Sequence, residues 1–227
     1  MRYLGGKHRI AKWLAQQILP LRQDRRLIEP FCGGLSATAA LQPDLACDAS
    51  VPLMSLIQAC RNGWEPPSDL SEDEYRYART LPAENPLHGF AAFCCSFGGK
   101  YWGGYARETG RNFAKEGRNA LLRKIEATRK VEFQLLSFEQ LRPGPGDLVY
   151  CDPPYAGTTM GYSTPDWNPK NFWEWASESA ARGAILVVSE FNAPEGTRIL
   201  AQRESATDLR TARRGQQTLE KLFILGG

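Results

Sequence analysis

Residues 148–155 read Leu-Val-Tyr-Cys-Asp-Pro-Pro-Tyr, an apolar run followed by an acid, two prolines and an aromatic residue. A short apolar run bounded by turn-forming residues is typical of a buried parallel strand. Each proline fixes its backbone φ angle near about −65° and removes an amide donor, so a rigid turn should follow the strand. The stretch therefore predicts a strand that presents Asp152 at its carboxyl end.

Three further apolar runs are also bounded by turn-forming or acidic residues, namely Leu27–Phe31, Leu45–Cys47 and Ala184–Val188. Helical patterns alternate with these runs, over Leu35–Leu41, Val51–Cys60 and Phe172–Ala181. For the last of these helices, Asn171 is the expected N-cap and Gly183 the expected terminator. Alternating strands and helices predict an α/β fold with a Rossmann-like, doubly wound sheet.

Residues 62–130 have a different pattern, with prolines near the start, no convincing strand and a capped helix start at Ser71–Glu74. Between Arg107 and Lys124 there are six basic residues and two acids. We expect a mostly helical, locally positive insertion at 62–130, within a main domain formed by 1–61 and 131–227.

The composition favours a soluble, cytoplasmic protein. The chain has 227 residues, 42% of them hydrophobic, and a formal net charge of +3, which suits a globular domain and neither requires nor excludes a polyanionic partner. We see no signal-peptide pattern and no stretch long enough to span a membrane. Its six cysteines have no C-x-x-C spacing and its two histidines lie far apart, so we expect reduced thiols and no metal site.

The Asp-Pro-Pro-Tyr motif has the chemistry needed to activate an exocyclic amine. Such an amine is a poor nucleophile because its lone pair is delocalised into the ring. A carboxylate and a backbone carbonyl that accept its two hydrogens favour a tetrahedral nitrogen, whose lone pair can attack a sulfonium methyl group. Tyr155 could stack on the base that carries the amine. An ordinary strand-ending turn is the structural alternative.

A glycine turn follows the first predicted strand, in the sequence Glu-Pro-Phe-Cys-Gly-Gly-Leu-Ser at 29–36. Gly33 and Gly34 would let the backbone approach a ligand closely. Asp48, at the end of the next strand, is placed to accept hydrogen bonds from a ribose diol, although a helix N-cap would explain it too. Without G-x-G-x-x-G or a P-loop, a nicotinamide dehydrogenase is disfavoured.

These motifs, taken in order, resemble the Dam-type (α group) N6-adenine-specific DNA methyltransferases, in their phage-like variety. The resemblance includes Tyr-Leu-Gly-Gly-Lys at 3–7, the glycine turn, Asp48, the stretch from Cys95 to Tyr105, and Asp-Pro-Pro-Tyr at 152–155. It implies the fold of S-adenosylmethionine-dependent methyltransferases, with residues 62–130 as a target-recognition insertion.

The resemblance also implies roles for individual residues. Lys7 would pair with the carboxylate of S-adenosylmethionine, and Asp48 would hold its ribose. Tyr155 would stack on a flipped base. The implied catalytic residues are Asp152, Pro153, Pro154 and Tyr155, and the implied cofactor-binding residues are Tyr3, Lys7, Phe31, Gly33, Gly34, Asp48, Phe138 and Asp152.

Two positions depart from the pattern of that family. Leu35 stands where many relatives have a third glycine, and Ser137 where an acid is frequent. The chain is also shorter than typical Dam enzymes, which puts their target sequence, G-A-T-C, in question.

The stretch from Ser96 to Arg118 interleaves aromatic and basic residues, which suits phosphate neutralisation and filling of the gap left by a flipped base. The predicted DNA-binding residues are Lys100, Tyr105, Arg107, Arg111 and Arg118. A packed aromatic cluster with a solvated basic face is an equal alternative. A second basic stretch, at Arg210, Arg213 and Arg214, suggests an exposed turn between two strands, either a DNA-contacting hairpin or a plain charged turn.

The sequence thus predicts a metal-independent enzyme of phage or restriction-modification type that methylates adenine N6 in double-stranded DNA. A partner nuclease is not evident. N4-cytosine methylation uses the same chemistry and stays open, as do RNA methylation and a non-catalytic nucleic-acid-binding protein that keeps the fold.

Overall fold

The computed structural model describes residues 1, 3–155, 167–205 and 218–227. Its strands are β1 (Arg26–Glu29), β2 (Leu45–Asp48), β3 (Glu132–Leu135), β4 (Asp147–Cys151), β5 (Ile185–Glu190), β6 (Arg198–Ser205) and β7 (Thr218–Leu225). Its helices are α1 (Ala11–Arg22), α2 (Ser36–Leu41), α3 (Val51–Arg61), α4 (Glu72–Thr80), α5 (Pro86–Cys94), α6 (Phe113–Ala127) and α7 (Pro169–Ala181). The basic stretch at Arg210, Arg213 and Arg214 lies outside the described residues.

The strands form one sheet in the order β3-β2-β1-β4-β5-β7-β6. The first five are parallel, whereas β7 pairs antiparallel with both β5 and β6. The strand order reverses between β1 and β4, which is the switch point at which doubly wound sheets bind ligands. The predicted fold class, an α/β protein with a Rossmann-like, doubly wound sheet, is confirmed.

The central strands are buried because both faces of the sheet are covered. Leu148, Val149, Tyr150 and Cys151 in β4 have no exposed surface. In the parallel pairing of β4 with β1, Leu148 lies beside Leu27. All four predicted strands are present, each within two residues of the expected limits at either end.

Helix starts follow from local capping. The side chain of Ser71 accepts a hydrogen bond from the backbone of Glu74, whose carboxylate accepts one in return, so the predicted capped start of α4 is present. The prediction of Asn171 as the N-cap of α7 is wrong. Asn168 caps this helix by accepting a hydrogen bond from the backbone of Lys170 at 3.0 Å, and Pro169 begins it.

Residues 62–130 contain α4, α5, α6 and a 3-10 turn at Phe97–Gly99. Helix α5 lies directly on α3, since a Cβ added at Gly89 would be 2.2 Å from the carbonyl oxygen of Pro52. Helix α6 lies equally close to α5, since a Cβ at Gly117 would be 2.6 Å from Cys94 Cβ. The segment therefore shares one hydrophobic core with the sheet.

The six cysteines are buried and form no disulfide. Among the described residues, no cluster of histidine, cysteine or acidic side chains could hold a metal ion. In the same part of the chain, no helix is both long and apolar enough to cross a membrane.

Candidate active site

Asp152 follows directly on β4 and lies beside the switch point. Its side chain is 18% exposed, and one of its oxygens is 3.0 Å from Lys7 Nζ. Burial raises the pKa of Asp152 to about 6, with Lys7 opposing this effect and Glu220 adding to it. The turn thus presents a carboxylate with a raised affinity for a proton.

Lys7 comes from the amino-terminal segment and is 8% exposed. Its Nζ atom is also 3.1 Å from an oxygen of Glu220 and donates a hydrogen bond to the hydroxyl of Tyr155. Burial alone would lower the pKa of Lys7, but the carboxylates of Asp152 and Glu220 raise it above its ordinary value. Lys7 is therefore a buried cation that links three side chains of the site.

Tyr155 is held on its hydroxyl and on its ring. The hydroxyl donates to Glu220 at 2.7 Å, and the ring meets Phe191 edge-on with centroids 4.7 Å apart. Lys7 Nζ lies 4.4 Å from the centre of the ring. Since Tyr155 is only 8% exposed, the predicted stacking on a flipped base requires a face of this ring to become accessible.

The glycine turn after β1 is closed by Tyr3. A Cβ added at Gly34 would be 2.6 Å from Tyr3 Cβ, and one at Gly33 would be 3.0 Å from the Tyr3 ring. Gly33 also has a φ angle of +43°, which few other residues adopt. In this structure the glycines therefore make room for a side chain of the protein itself.

Leu35, which replaces a glycine of the family pattern, has a φ angle of +58°. A left-handed conformation is unfavourable for a leucine. The side chain is fully buried in the core under α3 and α5, and this burial offsets the backbone strain. The turn keeps a glycine-like backbone without the glycine.

Asp48 is held by the turns on either side of it. Its two carboxylate oxygens accept hydrogen bonds from the backbone amides of Gly33 and Ser50, each at 3.0 Å. Burial raises the pKa of Asp48 to about 6. Each oxygen retains acceptor capacity, so the carboxylate fits the two hydroxyls of a ribose.

Glu29 ends β1 between these acids and is 1% exposed. Neither of its oxygens has a hydrogen-bond partner among the described residues. Burial raises the pKa of Glu29 well above its ordinary value. An orphaned buried carboxyl beside the glycine turn fits a cationic ligand, because an unpaired buried polar group is costly.

An aromatic cluster flanks the glycine turn on the side of β3. The ring of Phe31 lies 5.6 Å from Phe138, 5.7 Å from Phe172 and 5.9 Å from Trp167, between centroids. Phe138 is 8% exposed and also contacts Trp175. Phe138 therefore lies mainly in the core, and its predicted role in cofactor binding would use its small exposed part.

The predicted basic residues of the 62–130 segment are largely paired with acids. Arg107 pairs with Glu72 at 2.9 Å. Arg111 pairs with Glu108 at 2.8 Å and with Glu116 at 2.6 Å. Each arginine would exchange an acid for a phosphate on contact with DNA.

Other predicted DNA-binding residues have structural contacts. Arg118 pairs with Glu65 and donates to the carbonyl of Pro66 at 2.9 Å. The hydroxyl of Tyr105 donates to the carbonyl of Leu70 at 2.6 Å. Lys100 is half-buried at the turn that ends at Gly103.

Among the aromatic residues of this stretch, Phe97 differs from its neighbours. Tyr101 and Trp102 pack against the ring of His88, as in the alternative of a packed aromatic cluster, whereas Phe97 is 60% exposed. The turn that carries Phe97 meets the amino-terminal segment, because the amide of Leu4 donates to the carbonyl of Gly99 at 3.2 Å.

Sequence reasoning missed two of these site residues, Glu220 and Glu29. Glu29 is part of the quoted glycine-turn motif but had no predicted role. Glu220 lies in β7, one of the two strands expected beside the second basic stretch, but no motif predicted a role for it. Lys124 was counted with the basic surface. It instead donates to the carbonyl of Gly34 and, at 2.8 Å, to the hydroxyl of Ser36, so it ties α6 to the glycine turn.

Comparisons with known proteins give one family match and several similar solved structures. Residues 3–85 match the family described as D12 class N6 adenine-specific DNA methyltransferase. No curated protein matches the chain. One similar solved structure is the rRNA methyltransferase AviRa from Streptomyces viridochromogenes, which is 14% identical to this chain. The alignment covers 98% of this chain and 86% of AviRa, with a TM-score of 0.47. Another is the putative methyltransferase YhhF from Escherichia coli, with 9% identity, coverage of 96% and 85%, and a TM-score of 0.42.

The family match includes the amino-terminal Gly-Gly-Lys, the glycine turn and Asp48. Asp-Pro-Pro-Tyr lies beyond it, at the carboxyl end of β4, where the sheet brings Asp152 next to Lys7. Residues 3–85 of the chain are thus similar to the D12 class of N6-adenine-specific DNA methyltransferases.

Proposed function

We propose that the site around Asp152 methylates the N6 amine of an adenine flipped out of double-stranded DNA. The observation that carries this assignment is the position of Asp152, beside the switch point and next to the glycine turn with Asp48. S-adenosylmethionine supplies an electrophilic methyl group on a sulfonium. The reaction is a direct transfer to the amine, with no covalent enzyme intermediate.

Three features of the chain support binding of this cofactor beside Asp152. Asp48 has acceptor capacity for a ribose diol. The orphaned carboxyl of Glu29 suits a positive charge. The edge of the cluster around Phe31 offers an apolar surface for an adenine ring. In this arrangement Gly33 and Gly34 form the floor of the pocket under Tyr3.

Asp152 then acts on the target amine. Its carboxylate and a backbone carbonyl of the Pro153–Pro154 turn accept the two N6 hydrogens, which localises the nitrogen lone pair. The amine nitrogen gains a bond to carbon and must release one proton. Asp152 can accept that proton, because its pKa of about 6 is closer to neutrality than that of an ordinary aspartate.

Lys7 keeps Asp152 in place while the amine is bound. With Nζ at 3.0 Å, Lys7 fixes one oxygen of the carboxylate. The predicted pairing of Lys7 with the cofactor carboxylate stays a prediction. Since Lys7 already contacts Asp152, Glu220 and Tyr155, such a pairing would have to replace one of these contacts.

The 62–130 segment provides the DNA-recognition surface in this proposal. Arg107, Arg111 and Arg118 would contact phosphates after releasing their acids. Phe97 is the exposed aromatic side chain of the 96–105 stretch, on a turn that touches the segment carrying Lys7. We therefore assign Phe97 to the gap left by the flipped adenine.

The test is to incubate the purified protein with methyl-labelled S-adenosylmethionine and unmethylated duplex DNA of mixed sequence, and to identify the labelled nucleoside. N6-methyladenine that disappears with Asp152→Ala is the expected result. N4-methylcytosine would overturn the choice of base. Absence of label on DNA, with label on RNA offered in parallel, would overturn the choice of substrate.

A further inference from the structure

The formal charges of the three contacting side chains Lys7, Asp152 and Glu220 do not balance. Lys7 contributes one positive charge, and Asp152 and Glu220 contribute one negative charge each. Lys7 Nζ lies 3.0 Å from Asp152 and 3.1 Å from Glu220, so one ammonium is shared between two carboxylates. The side chains of Lys7 and Glu220 are 8% and 4% exposed, so solvent cannot neutralise the excess.

Glu220 also holds the aromatic member of the motif. Its Oε1 atom accepts the hydroxyl of Tyr155 at 2.7 Å and is the same oxygen that contacts Lys7. Glu220 lies on β7, which is inserted between β5 and β6. A single side chain from the antiparallel part of the sheet therefore fixes both Lys7 and Tyr155.

We infer that Glu220 is a positioning residue for methyl transfer, which holds Lys7 against Asp152, anchors Tyr155 and gives the cluster of Lys7, Asp152 and Glu220 one excess formal negative charge. This inference rests on the proposed function. The excess charge matches the single positive charge that the reaction handles. That charge begins on the sulfonium, passes to the amine nitrogen when the methyl group transfers, and leaves as the proton accepted by Asp152.

The charge balance is complete at each stage. The nitrogen forms a bond to the methyl carbon, and the bond between carbon and sulfur breaks with its electron pair on sulfur. The N–H bond then breaks, and its proton goes to Asp152. Counted by formal charge, protonated Asp152, Lys7 and Glu220 then form a neutral cluster, so these three side chains no longer carry an excess charge after the reaction.

Other charged and titratable groups face this cluster from the neighbouring elements. They are Glu29 on β1, Tyr150 on β4, Glu190 on β5 and, opposite Glu220 in register, Arg203 on β6. Among the acids that the structure describes, Asp152 and Glu220 are the two with a recorded contact to the ammonium of Lys7. Neutralising Glu220 should therefore change the titration of Asp152 directly.

The test replaces Glu220 by glutamine, which keeps an acceptor for Tyr155 and removes the charge. Asp152 is followed by carbon NMR of its carboxyl group in the cofactor-free protein. We expect its titration midpoint to move to lower pH in Glu220→Gln, because a repelling carboxylate is gone. The matched control is Glu204→Gln on β6, an exposed glutamate, which should leave the midpoint unchanged.

The second measurement of this test is kinetic: kcat is determined as a function of pH at saturating concentrations of cofactor and DNA. Glu220→Gln should lower kcat by roughly 10- to 100-fold, as for misplacement of a reacting group by about 1 Å, with little change in the KM for DNA. In the pH profile of kcat for Glu220→Gln, the acidic limb should move to lower pH together with the titration midpoint of Asp152. Glu220→Asp should recover part of the rate because it restores the charge.

Two outcomes would overturn the inference. One is a folded Glu220→Gln protein in which the Asp152 midpoint does not move. The other is a kcat within twofold of the wild-type value over the whole pH range. Failure of the proposed function is distinguishable, since wild-type protein would then place no label on DNA adenine while the NMR titration would still report on Glu220.

Discussion

The charges beside Asp152 and those of the 62–130 segment are arranged in opposite ways. Around Lys7, one cation is shared by two acids, and all of these side chains are less than a fifth exposed. In the helical segment, Arg111 has two acids of its own, and the participating side chains are 31% to 56% exposed. The first set is buried and unbalanced, whereas the second is solvated and compensated.

This difference shows where electrostatic free energy is concentrated. A buried charge that loses its partner cannot be solvated, so the site depends strongly on each member. An exposed ion pair contributes little, because water and salt replace the lost partner. We therefore expect the site to tolerate few substitutions and the DNA face to tolerate many.

The largest effect should come from Asp152. Asp152→Asn keeps the size of the side chain but removes the charge that accepts the amine hydrogen and the proton. We expect kcat to fall by about 10³-fold or more, with DNA affinity within threefold of the wild-type value in a binding assay. A variant with substantial residual turnover would show that Asp152 is not the group that acts on the amine.

The stabilities of the Lys7→Met and Arg111→Met variants compare the two regions directly. Lys7→Met leaves two carboxylates buried without their cation and should lower the free energy of unfolding by about 3–5 kcal/mol. Arg111→Met removes a solvated arginine and should cost at most about 1 kcal/mol. Urea denaturation at neutral pH measures both. Equal losses would mean that burial does not separate the two charge sets.

The closure of the glycine turn by Tyr3 can be tested with Gly34→Ala. The added methyl group would meet Tyr3 Cβ at 2.6 Å, so Tyr3 must move, at a cost of about 1–3 kcal/mol in stability. We expect weaker cofactor binding by calorimetry as well. Gly144→Ala is the control, because its nearest heavy atom outside the adjacent residues is 3.9 Å away, and it should leave both quantities unchanged.

The raised pKa of Asp48 predicts a pH dependence of stability. In the folded protein this pKa is about 6, against an ordinary value of 3.8. The neutral form is therefore favoured on folding, and the stability it provides is present below pH 3.8 and lost as the pH rises through 6.

Asp48→Asn should remove this loss of stability. Between pH 4 and pH 7, the free energy of unfolding should therefore decrease less in the variant than in the wild type, by about 1–3 kcal/mol. Asp24→Asn changes an exposed acid and should give a curve parallel to that of the wild type. Parallel curves for Asp48→Asn as well would refute the raised pKa.

The smallest expected effect is on the DNA face. Arg107→Gln removes one exposed cation that is paired with Glu72. We expect DNA affinity to fall modestly and the slope of log affinity against log salt to decrease by about one unit, with stability unchanged within about 0.5 kcal/mol. An unchanged salt slope would place Arg107 outside the phosphate contacts.

The sequence was sufficient to predict four of the five parallel strands, because β1, β2, β4 and β5 are largely buried and read as short apolar runs. Helix α1 was missed although Leu14 and Ile18 are fully buried, since its basic and polar residues mask the apolar stripe. Strand β3 was not predicted, because Glu132 is exposed at its first position.

The site was predictable where a local motif carries it, and not where the tertiary structure alone creates the contact. Asp152 and Asp48 follow predicted strands, so the sheet brings them to one edge. Glu220 lies in β7, which alternates polar and apolar residues in part and resembles many surface strands. Its contact with Lys7 depends on the insertion of β7 beside β5, and no local pattern encodes that placement.

The position of β7 has a consequence for synthesis on the ribosome. This strand is interior to the sheet, yet it is translated after the other six strands and long after Lys7. A nascent chain that already displays Lys7 and Asp152 still lacks Glu220 and leaves the edge of β5 unpaired. We therefore expect methylation competence to arise only after residue 220 has left the exit tunnel, which would keep unfinished chains from modifying DNA.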